Sequence, residues 1–231
     1  MHKTRARITT INSQSSLILF DCDGTLTDSH GAIVEAMQQA FLHNGLQQPD
    51  ADTVNAVIGL SLHEAVRRLL PEPEQQSREL FEAIMQGYRE CYRTAEQHIT
   101  LYPNVREVLS ELRRRGYWLG VVTGKSLPGL HRVLDTFALA DQFYVLRTAD
   151  CTHSKPHPAM VNECMAEMGV GVERTVVVGD ALFDVQMAVA AGVPCIGVSF
   201  GVGDSDELLA AGAELVVDEF ITLLDHFPPL A

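Results

Sequence analysis

Four short polar clusters in this chain each follow directly on an apolar run, and each holds residue types suited to binding a phosphate or a divalent cation. The first is Asp21-Cys22-Asp23-Gly24-Thr25-Leu26-Thr27-Asp28, after the run 17–20. If Asp21 keeps the twofold alternation of a strand, Asp21 and Asp23 point to one side and Cys22 to the other. Two carboxylates so close repel each other, and the pair is costly without a cation or a shared proton. A pair of solvated turn acids before Gly24 is the bland alternative, and a buried strand ending in two like charges speaks against it. The second cluster is Thr123-Gly124-Lys125, where a hydroxyl and the N–H groups of a glycine turn are natural donors to a phosphate oxygen. The same three residues would also serve as an ordinary turn. The third is Ser154-Lys155-Pro156-His157-Pro158, in which prolines restrict the backbone around a lysine and Pro158 suits the first turn of a helix. Lysine occurs only at positions 3, 125 and 155, against 14 arginines, so a rigidly presented one is notable. The fourth is Gly179-Asp180-Ala181-Leu182-Phe183-Asp184. With a helix starting near Asp180, Asp180 and Asp184 lie one turn apart on one side. Acids at a helix start also cap free N–H groups, which would explain either one alone.

The elements that must position these clusters are legible from periodicity. Val105, Val108, Leu109 and Leu112 keep the spacing of one helix face, and Gly116 stops that helix. A strand is expected over 117–122, a helix around Leu130–Phe137, and a strand over 143–146. A third helix at 158–168, stopped by Gly169, leads to the strand 175–178. A fourth at 183–191, stopped by Gly192, leads to the strand 195–198, with a further short strand at Val216 and Val217. Runs such as Val176–Val178 suit strands buried on both faces of a parallel sheet, so the alternation implies an α/β layer fold with right-handed crossovers. In such a sheet ligands bind at the carboxyl ends of the strands, where all four clusters would lie. At least three carboxylates, a lysine and a threonine then meet at one edge. That set of hard oxygen ligands suits Mg²⁺, which keeps waters and a substrate phosphate as its other ligands.

The segment 29–97 breaks the rhythm and reads as all helical: Ile33, Met37, Ala40 and Phe41 line one helix face, Val66, Leu69 and Leu70 another, and a long charged helix is expected over 74–96. Residues 1–16 are polar and read as a disordered tail. The net charge of −13 disfavours nucleic acid as a partner. No apolar run is long enough to span a membrane. The 5 cysteines are scattered without a CxxC pair, which fits a reducing, cytoplasmic setting. Cys22 and Trp118 read as core packing and as the wall of a buried strand, and Arg113–Arg115 as a solvated helix end. Arg67, Arg68 and His63 could hold an anionic substrate or simply face solvent. Gly59 to Leu62 reads as a loop facing the site. A monomer or homodimer is expected.

The four clusters in this order resemble the signature motifs of the haloacid dehalogenase superfamily, in the branch with a helical cap inserted after the first motif. The resemblance runs from about Leu17 to Gly203, and its core is most similar to phosphoglycolate phosphatase-like hydrolases. It implies a Rossmann-like three-layer α/β/α core (17–28 and 98–231) with an all-α cap (29–97). It also implies an Mg²⁺-dependent phosphomonoester hydrolase acting on a small phosphorylated metabolite. Under the resemblance Asp21 is the nucleophile and Asp23 the general acid/base. Thr123 and Lys155 bind the phosphoryl oxygens. Mg²⁺ is held by Asp21, the main-chain carbonyl of Asp23 and Asp180, with Asp184 in support. Gly124, Lys125 and Arg67 are the further substrate-binding candidates. Asp23 separates the chain from the dehalogenase branch, which has no acid there. A phosphosugar mutase and a non-catalytic phosphate-binding module are the other readings.

Overall fold

The computed structural model describes residues 16–72 and 77–230. The expected tail therefore lies outside the described residues except for Ser16. That residue is buried, its N–H donating to the Arg174 carbonyl at 2.8 Å and its own carbonyl accepting from Trp118 N–H at 2.7 Å.

Six short strands rich in valine, isoleucine and leucine form one parallel sheet. They are β1 (Leu17–Phe20), β4 (Trp118–Thr123), β5 (Val145–Thr148), β6 (Thr175–Gly179), β7 (Cys195–Val198) and β8 (Leu215–Val217). Their order is β5-β4-β1-β6-β7-β8, with Phe20 opposite Val121 on one side and Val178 on the other. The twofold alternation of side chains divides the core in two. Ile18, Phe20, Val176 and Val178 pack on one face, with Val108, Leu109 and Leu112 of α5 (Val105–Arg114) and Leu130, Val133 and Leu134 of α6 (Leu127–Thr136). Leu17, Leu19 and Val177 pack on the other, against α7 (Ala159–Met168), α8 (Leu182–Ala191) and α9 (Ser205–Ala211). This is the α/β layering that the alternation implied, in the three-layer, Rossmann-like form that the resemblance implied.

Between β2 (Thr27–Asp28) and β3 (Thr100–Leu101) the described residues include the α-helices α1 (His30–His43), α2 (Ala51–Asn55), α3 (Leu62–Leu69) and α4 (Arg78–Ala95). Ile33, Met37, Phe41, Val54, Ile58, Val66, Ile84 and Tyr92 form a cluster of their own there. β2 and β3 pair antiparallel where the chain leaves and re-enters the core, and two-residue strands are too short to carry a periodic signal. The long helix starts at Arg78, where the Ser77 hydroxyl accepts from Leu80 N–H at 3.3 Å.

Several expected details are corrected. The fourth core helix begins at Leu182, so Asp180 lies in the preceding turn and not on the helix. Trp118, at the outer end of β4, is 39% exposed. β5 starts at Val145 because a 3₁₀ turn at Ala140–Gln142 carries the chain around first, leaving Tyr144 on the surface. Of the three arginines at the end of α5, only Arg114 is well solvated. Arg115 donates to the carbonyls of Leu224 and Phe227 at 2.6 and 2.7 Å, and Arg113 to the Asp141 carbonyl and the Tyr144 hydroxyl.

Leu112 is fully buried between α5 and the sheet, so Leu112→Ala should lose ~2–5 kcal/mol of stability through lost burial and a residual cavity. Urea unfolding should show a lower midpoint at unchanged slope.

Candidate active site

The register of the sheet brings the chemistry together. β1 and β6 are neighbours and parallel, so the chain passes from Phe20 into Asp21 beside the turn from Gly179 into Asp180. Asp21 N–H continues the ladder, donating to the Val178 carbonyl at 2.9 Å. β4 lies on the other side of β1 and ends at Thr123. Oxygens of Asp21, Asp180 and Asp184 all come within 4.8 Å of one another, and all three side chains are buried. Lys155 has its ammonium 2.7 Å from Asp21 Oδ1 and 2.6 Å from Asp184 Oδ1. Asp184 also accepts from Ala181 N–H at 3.0 Å, at the start of α8. Asp180 accepts from the Thr25 hydroxyl at 2.8 Å and from Val202 N–H at 2.9 Å, with His30 Nε2 at 3.6 Å. Gly24 is required in this packing: its φ is +87°, and a Cβ there would overlap the Asp180 carboxylate.

One ammonium among three buried carboxylates leaves an excess of negative charge away from water. Burial drives the Asp21 carboxyl well above the usual carboxylate range; Lys155 pulls it back, while Asp184 and Asp180 push it further up. Asp184 is raised for the same reasons. Burial alone would lower the Lys155 pKa, and the two carboxylates more than reverse that. Such an excess is expensive unless a further cation joins it. The donor set is all oxygen, which fits a hard divalent ion such as Mg²⁺. These three acids are therefore the residues that could hold a metal. The Asp23 carboxylate is not among them.

Asp23 is held separately. Lys125 Nζ lies 2.7 and 2.9 Å from its two oxygens, and the Ser29 hydroxyl donates to it at 2.7 Å. Burial would raise the Asp23 pKa, but Lys125, Ser29 and His30 together bring it below the ordinary value. Lys125 also donates to the Tyr92 hydroxyl of α4 at 2.8 Å, so a helix of the insert reaches the core site. Cys22 points the other way, into the core, as the alternation predicted.

A cavity of about 450 Å³ opens above these groups. Asp21, Asp23, Thr123, Gly124 and Lys125 line its floor, and the insert supplies Gly59, Leu60, Ser61, Leu62 and His63 among its walls. Lys155, Asp180 and Asp184 lie beneath the floor, buried behind Asp21. Core and insert touch closely: Ser61 N–H donates to the Ser154 hydroxyl at 3.0 Å, and Gly124 lies directly under the carbonyls of Gly59 and Leu60. Arg67 is not brought to the site. It is bound to Glu64 at 2.7 and 2.9 Å and stands outside the cavity, exposed to solvent. Thr25, Ser29, His30, Tyr92 and Ser154 join the site without having been among its expected residues. Thr25 and Ser154 sit inside quoted motifs, so their position was visible. Ser29, His30 and Tyr92 are joined to the site only by tertiary packing.

Two outcomes follow from this geometry. Lys155→Met would strand three buried carboxylates and should destabilise the protein by ~3–5 kcal/mol at neutral pH, measured by urea unfolding in EDTA. Gly124→Ala would place a methyl against the Gly59 and Leu60 carbonyls. The insert should then seat less closely, and small-angle scattering should give a larger radius of gyration than the parent chain at equal stability.

Known proteins resemble this chain in sequence and fold. The family model for haloacid dehalogenase-like hydrolase matches residues 18–198. The protein named probable phosphatase IndB from Dickeya dadantii is 34% identical over 210 residues, covering 88% of this chain and 90% of that one. A phosphoglycolate phosphatase from Photorhabdus laumondii is 31% identical over 216 residues, covering 90% of each. Among solved structures, that of a predicted phosphoglycolate phosphatase from Haemophilus somnus superposes with a TM-score of 0.84 at 26% identity, over 92% of this chain and 97% of the other. With the family model running from β1 to β7 and these phosphatase-named relatives matched nearly end to end, the chain belongs to the haloacid dehalogenase-like hydrolase family.

Proposed function

We propose that this hydrolase is an Mg²⁺-dependent phosphomonoesterase that cleaves a small phosphorylated metabolite through a phosphorylated Asp21. The observation that carries the reading is the division of labour between the two acids after β1: Asp21 faces Lys155 and the buried carboxylates, and Asp23, two residues on, is held apart by Lys125. The relatives named phosphatases support the same chemistry.

In the first half-reaction an Asp21 oxygen attacks phosphorus, the bond to the leaving oxygen breaks, and Asp23 gives that oxygen a proton. In the second, Asp23 as carboxylate takes a proton from water while the water oxygen attacks phosphorus, releasing inorganic phosphate and free Asp21. The Lys125 pairing favours the ionised form of Asp23 that the second half needs. An arriving phosphoryl group competes for Lys125 and frees Asp23 to carry the proton that the first half needs. Thr123 holds a phosphoryl oxygen as charge develops on it, and Lys155, its ammonium against Asp21 Oδ1, offsets the charge that grows around Asp21. Asp21, Asp180 and Asp184 would hold Mg²⁺, whose charge offsets theirs and that of the phosphoryl group. The close seating of the insert on Gly124 and Ser154 walls the cavity on that side.

Among the described residues no helix is long and apolar enough to cross a membrane, and the 5 cysteines are all free. Both suit a protein that meets a dissolved metabolite in a reducing compartment, and we place it in the cytoplasm.

Phosphate release from a panel of small phosphate esters tests the proposal. Release should require Mg²⁺, stop in EDTA and fall by ~10³-fold or more in Asp21→Asn. Asp23→Asn should slow turnover by ~10²–10⁴-fold while leaving the fold intact. Return of an isomeric phosphate in place of inorganic phosphate would assign a mutase instead. A folded chain that binds the esters and turns over none would leave only a binding module.

A further inference from the structure

Among the described residues, two arginines stand without a hydrogen bond, an ion pair or a ring contact: Arg89 and Arg93. The others are engaged; Arg67 and Arg68 share Glu64, Arg132 holds Glu96, and Arg147 holds Glu163. In a chain of net charge −13, acidic partners are abundant, so two unpartnered arginines one helical turn apart are unexpected. Their mutual repulsion at i, i+4 adds to the cost. Both line the cavity, at its exposed rim.

They lie on a single face of α4. Met85, Tyr88, Arg89, Tyr92 and Arg93 follow the i, i+3, i+4, i+7, i+8 spacing and all line the cavity. The Tyr92 hydroxyl marks the reacting end, through Lys125 and Asp23. Tyr88 stacks on Tyr92 with ring centres 5.5 Å apart, and with Met37, Ile58 and Met85 it makes an apolar wall between floor and rim. A volume of about 450 Å³ falls within the ~300–1,000 Å³ that holds sizeable organic ligands and exceeds what a two-carbon phosphate ester would fill.

We infer that the substrate is a phosphomonoester whose leaving alcohol has an apolar body and ends in a second oxyanion, a carboxylate or a phosphate, read at the rim by Arg89 and Arg93. This rests on the phosphatase reading and adds the substrate class. Guanidinium groups suit such a partner because their N–H fork matches an oxyanion bidentately. The apolar wall then selects for length, and the arginines for charge at the far end. The repulsion between them is relieved only when that anion arrives, which ties binding of the distal group to seating of the ester.

Three esters separate the possibilities: phosphoglycolate, a six-carbon phosphooxy acid, and the methyl ester of that acid. Phosphate release from each gives kcat/KM in the parent chain and in the Arg89→Gln/Arg93→Gln double variant. The free acid should exceed its methyl ester by about tenfold or more, and the ratio should fall to about one in the double variant, through KM. Arg89→Lys, which keeps the charge, should restore part of the ratio. Arg78→Gln, on the same helix but paired with Glu82, should leave it unchanged. A ratio near one in the parent chain, a ratio untouched by the double variant, or phosphoglycolate as the best of the three would overturn the inference while phosphate release upheld the phosphatase reading. No release from any of the three would count against that reading and bring this one down with it.

Discussion

The carboxyl ends of β1 and β6 place Asp21 and Asp180 side by side, and Asp184 follows within the first turn of α8. Three carboxylates cannot share a dry site unaided, so the rest of the arrangement answers that repulsion. Lys155 supplies one positive charge between Asp21 and Asp184. Thr25 and Val202 N–H supply neutral donors to Asp180. The negative charge still uncompensated is what a divalent cation would offset. A site left short of positive charge in this way is built to bind, not merely to stand.

The insert takes part in the same electrostatics. Tyr92 of α4 touches Lys125, which holds Asp23, so a residue far from the core in the chain contributes to the state of the acid beside Asp21. Gly124 and Ser154 meet the loop at Gly59–Ser61, which closes the cavity from the other side. One face of this helix thus has two duties: Tyr92 addresses the chemistry, and Arg89 and Arg93 address whatever lies at the rim.

Much of this was legible in the sequence because the signals are local. β1 and β6 are continuous apolar runs, and the glycines at 116, 169 and 192 end their helices in the left-handed conformation. Three of the four clusters announced themselves by following directly on strands, and the remaining one by a lysine beside prolines. What was not legible depends on packing between distant segments. Asp184 was read as support for a metal, yet its shortest contact is to Lys155, 29 positions away in the chain. Lys125 could only be placed near substrate, and its grip on both Asp23 oxygens required the turn at Gly124 to be set against β1. Arg67 had the right charge on the right part of the chain, but Glu64, three residues earlier, satisfies it locally. Arg89 and Arg93 carry no motif at all; only the seating of α4 over the cavity distinguishes them from a solvated helix face.

The central claim is that Asp21 itself takes up the phosphoryl group. Acid quenching during turnover of a good ester, followed by peptide mass spectrometry, tests it directly. The account predicts one added phosphoryl mass on the peptide that contains Asp21, removed by hydroxylamine as an acyl phosphate must be and absent in Asp21→Asn. Phosphoryl label on another residue, or steady turnover with none on the chain, would contradict it.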